Sequence, residues 1–243
     1  MRKLSPTSES STTTRDGGTA TSDGDAAGER RGRFIVLEGG EGVGKTTQAA
    51  LLSSWLTGAG VEHVLAREPG GTAVGEAVRE IVLDRVELRM PAESELLLLL
   101  AARAAFVREV VRPALEAGKV VIGDRFFLST LAYQGFGRGL DLDRIRAGNE
   151  IATDGLGPDL YVLLDLPFEE GAARQRRQPE APDRIEREGD RFRSSVREGY
   201  LALARSEPGV EVVSAGGAPE EVHTRILQVL RRRFPETFGR ARV

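Results

Sequence analysis

The sequence contains no cysteine. Disulfides and thiolate metal sites are therefore excluded, and the chain suits a reducing compartment. A dominant charge is missing too. The net charge of −3 advertises neither a nucleic-acid nor a membrane surface, so any nucleotide partner is expected to be a small molecule. No apolar run approaches the ~20 residues that a membrane span needs. The longest, Leu96 to Ala102, stops at Arg103. Large apolar residues are almost absent from the N-terminal stretch SESSTTTRDGGTATSDGDAAGER. Such a segment cannot bury enough surface to offset its ordering entropy, so residues 1–32 are expected to form a disordered tail. The tail lacks the apolar centre of a secretory signal, and its acids do not fit a mitochondrial presequence. There is no internal repeat.

What is present suffices for one sizeable core: 243 residues, 40% of them hydrophobic. Phe34-Ile35-Val36-Leu37 is a continuous apolar run closed by glycines, the pattern of a strand buried on both faces. Further short strands are expected at Val61–Ala66, Lys119–Gly123, Leu160–Leu164 and Val210–Val213. Helical patterns run over Lys45–Thr57, Val74–Leu83, Leu142–Thr153, Phe168–Arg177, Arg187–Ser206 and Pro219–Phe234. A long helix starts near Pro91 and should kink or restart at Pro113. Strands alternating with helices predict an α/β domain over 33–236, with a five-stranded parallel sheet covered by helices on both faces, followed by a C-terminal tail at 237–243. Ligands of such sheets lie beyond the carboxyl ends of the strands, so chemistry is expected there.

The residues after the first strand fit that expectation. Gly39-Gly40-Glu41-Gly42-Val43-Gly44-Lys45-Thr46 matches G-x-x-x-x-G-K-[ST], with a strand before it and a helix after. Glycines let backbone N–H groups turn around phosphate oxygens, and the helix N-terminus adds partial positive charge. Lys45 is expected on the β and γ phosphates, the Thr46 hydroxyl on Mg²⁺, and Thr47 beside them. Without function the same residues would be only a glycine-rich turn. Asp124, just beyond KVVIG, faces this loop across the sheet and can hold Mg²⁺ or its waters. Arg125 can grip phosphate oxygens bidentately. The bland alternative is a surface ion pair at a strand end.

The segment RQRRQPEAPDRIER carries Arg174, Arg176, Arg177, Arg184 and Arg187 around a proline-containing break. Alone it reads first as a solvated helix face. Phosphoryl transfer, however, needs cations over the moving group, and the loop's variable positions hold no arginine. A mobile lid at about 174–187 would supply them. On the acceptor side, Leu99 and Arg103 share a helix face. Arg103 is either a snorkelling end of the leucine stripe or a hydrogen-bond donor to a substrate. Ser129, Thr130, Tyr133 and Gln134 form a polar cluster able to read a base and a sugar. Arg67 opens REPGGT after the second strand, where turn chemistry alone also explains the glycines.

The segments FIVLEGGEGVGKTTQ, AREPGGT, AAR, VIGDRFFLSTLAYQG and DRIE, in that order and spacing, resemble bacterial thymidylate kinases, P-loop nucleoside monophosphate kinases. The likeness covers Arg33 to about Phe234. It implies a cytoplasmic, Mg²⁺-dependent homodimer that converts ATP and dTMP to ADP and dTDP. Glu41 matches the carboxylate that binds the deoxyribose 3′-OH, and Arg67 and Arg125 match arginines near the acceptor phosphate. Arg103 matches the arginine that hydrogen-bonds thymine, and Thr130 the residue at its N3 edge. Tyr133 matches the tyrosine that crowds the 2′ position. Arg174 and Arg176 match lid arginines. Leu99 stands where many relatives carry a phenylalanine that stacks on the base. The competing readings are a kinase for another nucleoside monophosphate or a deoxynucleoside, and a P-loop ATPase switch.

Overall fold

The computed structural model describes residues 32–176 and 182–239. Except for Gly32, the expected N-terminal tail lies outside these residues, as does Arg177. Five strands form one all-parallel sheet in the order β2-β3-β1-β4-β5. They are β1 (Arg33–Glu38), β2 (His63–Arg67), β3 (Val120–Asp124), β4 (Leu160–Asp165) and β5 (Val210–Ser214). Between and after them run α1 (Lys45–Gly58), α2 (Ala73–Arg79), α3 (Ala92–Phe106), α4 (Arg112–Glu116), α5 (Phe127–Thr130), α6 (Leu142–Thr153), α7 (Phe168–Gln175), α8 (Asp190–Ser206), α9 (Pro219–Arg233) and α10 (Pro235–Phe238).

Alternation along the central strand builds the layers. Ile35 and Leu37 point into a core with Leu52 and Leu56 of α1 and Ile226 and Leu230 of α9. Phe34 and Val36 point to the other face, among Phe106, Leu131, Ile145 and Tyr200. Each such burial contributes about 1.5–3 kcal/mol. Both faces being covered is why these strands read as unbroken apolar runs.

Several elements differ from the sequence reading. The polar cluster at 129–134 is helical: α5 continues through a wide, π-type segment, Leu131–Gly137. Its glycines hide the helical pattern, but they permit close packing. A Cβ on Gly135 would come 2.4 Å from Leu142, and one on Gly137 2.5 Å from Phe192. The long helix does restart before Pro113. A π-type turn at Val107–Val111, closed by the Arg112 amide donating to the Val107 carbonyl, precedes the proline, and α4 follows. Helix α8 starts at Asp190 rather than Arg187, because Asp183 and Glu186 make a separate turn. Asp183 Oδ1 accepts from the Ile185 and Glu186 amides, both at 2.8 Å, and Glu186 Oε2 accepts from the Asp183 amide at 3.1 Å. The domain also extends past 236. Phe238 of α10 is fully buried, its ring 6.2 Å from that of Trp55, so the expected tail contributes to the core.

Candidate active site

The carboxyl ends of β1, β2 and β3 meet at one level. Asp124 pairs with Leu37 on one side and Arg67 on the other. The chain leaves β1 through a loop that only glycine can make. Gly39 has φ 139°, and a Cβ there would lie 2.4 Å from the Leu164 carbonyl. Gly42, at φ 71°, touches the Gly171 carbonyl in the same way. Helix α1 then begins at Lys45 with no side-chain cap. Its first amides therefore remain available to an anion.

A cavity of about 690 Å³ opens over this loop. Every residue expected in the phosphate loop or on the acceptor side lines it except Gly39 and Gly40. Asp124 and Arg174 line it as well. Arg176 does not, and its side chain is exposed. Arg174 reaches the Gly217 carbonyl at 3.4 Å. Arg184 turns the other way, onto the acceptor wall, where it pairs with Glu95 and donates to the Val82 carbonyl. Of these two arginines only Arg174 lines the cavity, while Arg184 is directed to the buried Glu95.

At the donor end Lys45 Nζ donates to the Gly40 carbonyl at 2.6 Å. Burial, helped by the Arg125 charge, lowers its ammonium pKa to about 8 against the pull of Glu41 and Asp124. Thr46 Oγ1 donates to Asp124 Oδ2 at 2.7 Å. In the middle, Arg125 adopts φ 73°, a strained conformation for a residue other than glycine. Its guanidinium donates to Glu41 at 2.6 Å and to the Gly39 carbonyl at 3.2 Å, and lies 5.0 Å over the Tyr133 ring. Burial pushes the Glu41 carboxyl up. The Arg125 and Lys45 charges, with a 2.6 Å hydrogen bond from Tyr133, more than offset this and bring it to about 2.

At the acceptor end Arg103 is 2% exposed, so it is not a snorkelling side chain. It donates twice to Glu68 Oε2, at 2.9 and 2.6 Å, to Thr130 Oγ1 at 2.8 Å, to the Phe126 carbonyl at 3.1 Å, and to Asn149 Oδ1. All of its N–H groups have protein acceptors, so a base engages Arg103 only by sharing one of them. Leu99 lies half-buried on the same wall.

The sequence reading missed several residues of this site. Glu38 is fully buried behind Arg125 and accepts from the Phe126 amide at 2.9 Å, Ser129 Oγ at 2.7 Å and Tyr200 at 2.9 Å. Burial raises its carboxyl pKa. An acid closing an apolar strand was the available signal. Tyr200, on α8, had none. Arg79 lines the cavity beside Arg67, and burial and the Arg67 charge lower its pKa. Glu68 was legible only as part of REPGGT.

The family profile described as "Thymidylate kinase" matches residues 37–226. The chain belongs to the thymidylate kinase family. It is 50% identical to the thymidylate kinase of Desulforudis audaxviator over 214 residues, covering 86% of this chain and 95% of that one. It is 51% identical to that of a Synechococcus strain over 209 residues, 85% and 98% of the two chains. It is 48% identical to that of Carboxydothermus hydrogenoformans over 192 residues, 79% and 93%. Among the described residues, no helix is long and apolar enough to cross a membrane.

Proposed function

We propose that the chain transfers the γ-phosphoryl group of ATP to dTMP, giving ADP and dTDP, by direct in-line displacement. The observation that carries this is one cavity in which a strand–loop–helix phosphate cradle meets a second, polar wall of arginines, hydroxyls and an amide. A switch that only hydrolyses ATP has no use for that wall. Family membership names the acceptor.

The α1 amides and Lys45 hold the β and γ phosphates. Arg174 covers them from α7, with Arg176 as the second lid arginine. Arg125 and Arg67 hold the acceptor phosphate. Glu41, ionised at neutral pH, accepts from the sugar 3′-hydroxyl, and Tyr133 crowds the 2′ position. Leu99 packs on the base, whose polar edge meets Thr130 and Gln134 with Arg103 behind. There is no covalent intermediate, so the acceleration comes from positioning and preorganised charge.

The Thr46 hydroxyl and the Asp124 carboxylate, 2.7 Å apart, are hard oxygen donors that fit a magnesium ion keeping the rest of its shell as water and phosphate. Those two residues would hold it. When bound, the ion neutralises charge on the β and γ phosphates. We also infer a homodimer through α3 and α6. Leu97 and Ile151 are 66% and 79% exposed there, with exposed Ala101 and Ala147 beside them. A second copy would cover this apolar face. A cytoplasmic location goes with the same family reading.

The test is coupled ADP release with ATP and Mg²⁺ against dTMP, dUMP, dCMP, dGMP and the ribose analogue of dTMP. A large preference for dTMP is expected. In the Lys45→Ala variant turnover should drop by orders of magnitude. Equal use of all acceptors, or near-normal turnover without Lys45, would sink the assignment.

A further inference from the structure

Glu38 closes β1 and is fully buried, and it does not itself line the cavity. Its carboxylate gathers donors from two other parts of the fold. Oε1 accepts from the Phe126 amide at 2.9 Å and from the Ser129 amide at 3.2 Å. Phe126, which precedes α5, has no side-chain oxygen to cap that turn, so Glu38 takes the role from the neighbouring strand. Oε2 accepts from Ser129 Oγ at 2.7 Å and from the Tyr200 hydroxyl, on α8, at 2.9 Å.

Arg125 is set between these contacts. Its own amide donates to the Leu37 carbonyl at 3.0 Å, and the next amide donates to Glu38. Adjacent residues of β1 thus grip the backbone on both sides of Arg125. That grip keeps φ at 73°, a conformation that persists in a residue other than glycine only where its surroundings over-determine it. The guanidinium is held from the same source. Its NH1 reaches Ser129 Oγ at 3.3 Å and the Tyr200 hydroxyl at 3.4 Å. Arginine only donates, so both oxygens accept from it and turn their own protons toward Glu38. One carboxylate therefore fixes the backbone and the head group of Arg125 through intermediaries.

We propose that Glu38 is a positioning residue for the acceptor phosphate, acting through Arg125. This rests on Arg125 holding that phosphate, as in the function proposed above. The phosphate loop does not depend on the Glu38 side chain, because the backbone of Glu38 stays in the ladder, paired with Leu163 of β4. Removing the carboxylate should therefore separate the two substrates.

Calorimetry compares Kd for dTMP and for ATP in the wild type, Glu38→Met, Arg125→Gly and the double variant. Methionine fills the space of the glutamate but offers the two amides no oxygen. Glycine adopts the φ of Arg125 without strain. Glu38→Met should raise Kd for dTMP at least tenfold and change Kd for ATP less than threefold. Arg125→Gly should raise Kd for dTMP at least as much. In the double variant Glu38→Met should add less than threefold, because its effect passes through a side chain already removed. A purely structural role would weaken both nucleotides alike, or would multiply in the double variant, and either result overturns the proposal. If Glu38→Met does not fold, the near-isosteric Glu38→Gln replaces it. That variant keeps an oxygen for the amides but turns an NH₂ on the two hydroxyls. It should raise Kd for dTMP at least threefold with ATP unchanged, and a wild-type Kd also overturns the proposal. If Arg125→Gly itself binds dTMP as tightly as the wild type, the role assigned to Arg125 fails and this inference fails with it. A weakened Arg125→Gly beside an unaffected Glu38→Met removes the inference alone.

Discussion

The burial of single side chains decides the electrostatics of this site. Lys45 holds its proton only to about 8, against 10.5 for an ordinary lysine. Its folded pKa is lowered, so the cation is disfavoured by folding below about 8, and that penalty lifts as pH rises toward 10.5. The proposed reaction runs the other way, because there the charged form would meet phosphate. The pH profile of kcat/KM reports the free enzyme. With ATP varied, it should therefore fall as pH rises through about 8. Lys45→Arg, charged throughout, should lose that limb while working more slowly. A limb that survives in the arginine variant assigns it to another group. Lys45, Glu41 and Arg125 were legible because glycine spacing and a strand end announce them. Glu95 and Tyr200 were not, since each is recognisable only by what packs against it, and Glu38 left only the signal of an acid closing an apolar strand.

Between elements, the decisive contact is that of the phosphate loop with α7. Gly42 and Gly171 meet backbone to backbone, and a Cβ on Gly171 would lie 3.0 Å from the Glu41 carbonyl. This packing brings Arg174 to the donor end of the cavity. Gly171→Val should push α7 away from the loop. We expect kcat to drop roughly 10–100-fold, as small misplacements of charged groups do. KM for dTMP should change little, because the acceptor wall belongs to other elements. Steady-state kinetics on both substrates checks this, and a loss confined to dTMP binding contradicts it. The sequence pattern located α7 to within two residues, yet nothing in it indicated which neighbour the helix meets. Docking depends on a glycine from each of two distant segments.

For the whole molecule, the apolar face on α3 and α6 leads to a prediction about assembly. Light scattering should give twice the 26.3 kDa of one chain. Leu97→Glu together with Ile151→Glu should give a monomer, since two buried, unpaired carboxylates cost far more than the lost contacts. A wild type that is already monomeric contradicts the dimer. By itself the sequence determined the fold class, the five strands and the phosphate loop. Those depend on local periodicity and on glycines whose spacing is a direct instruction to the backbone. It also carried the REPGGT and DR segments that mark the family. The tertiary structure alone decided that Arg184 faces Glu95 while Arg174 lines the cavity and reaches the Gly217 carbonyl, that Arg103 is fully occupied by protein acceptors, and that Phe238 completes the core. These are contacts between residues far apart in the chain, and their energy comes from burial and desolvation, which exist only after the layers have packed.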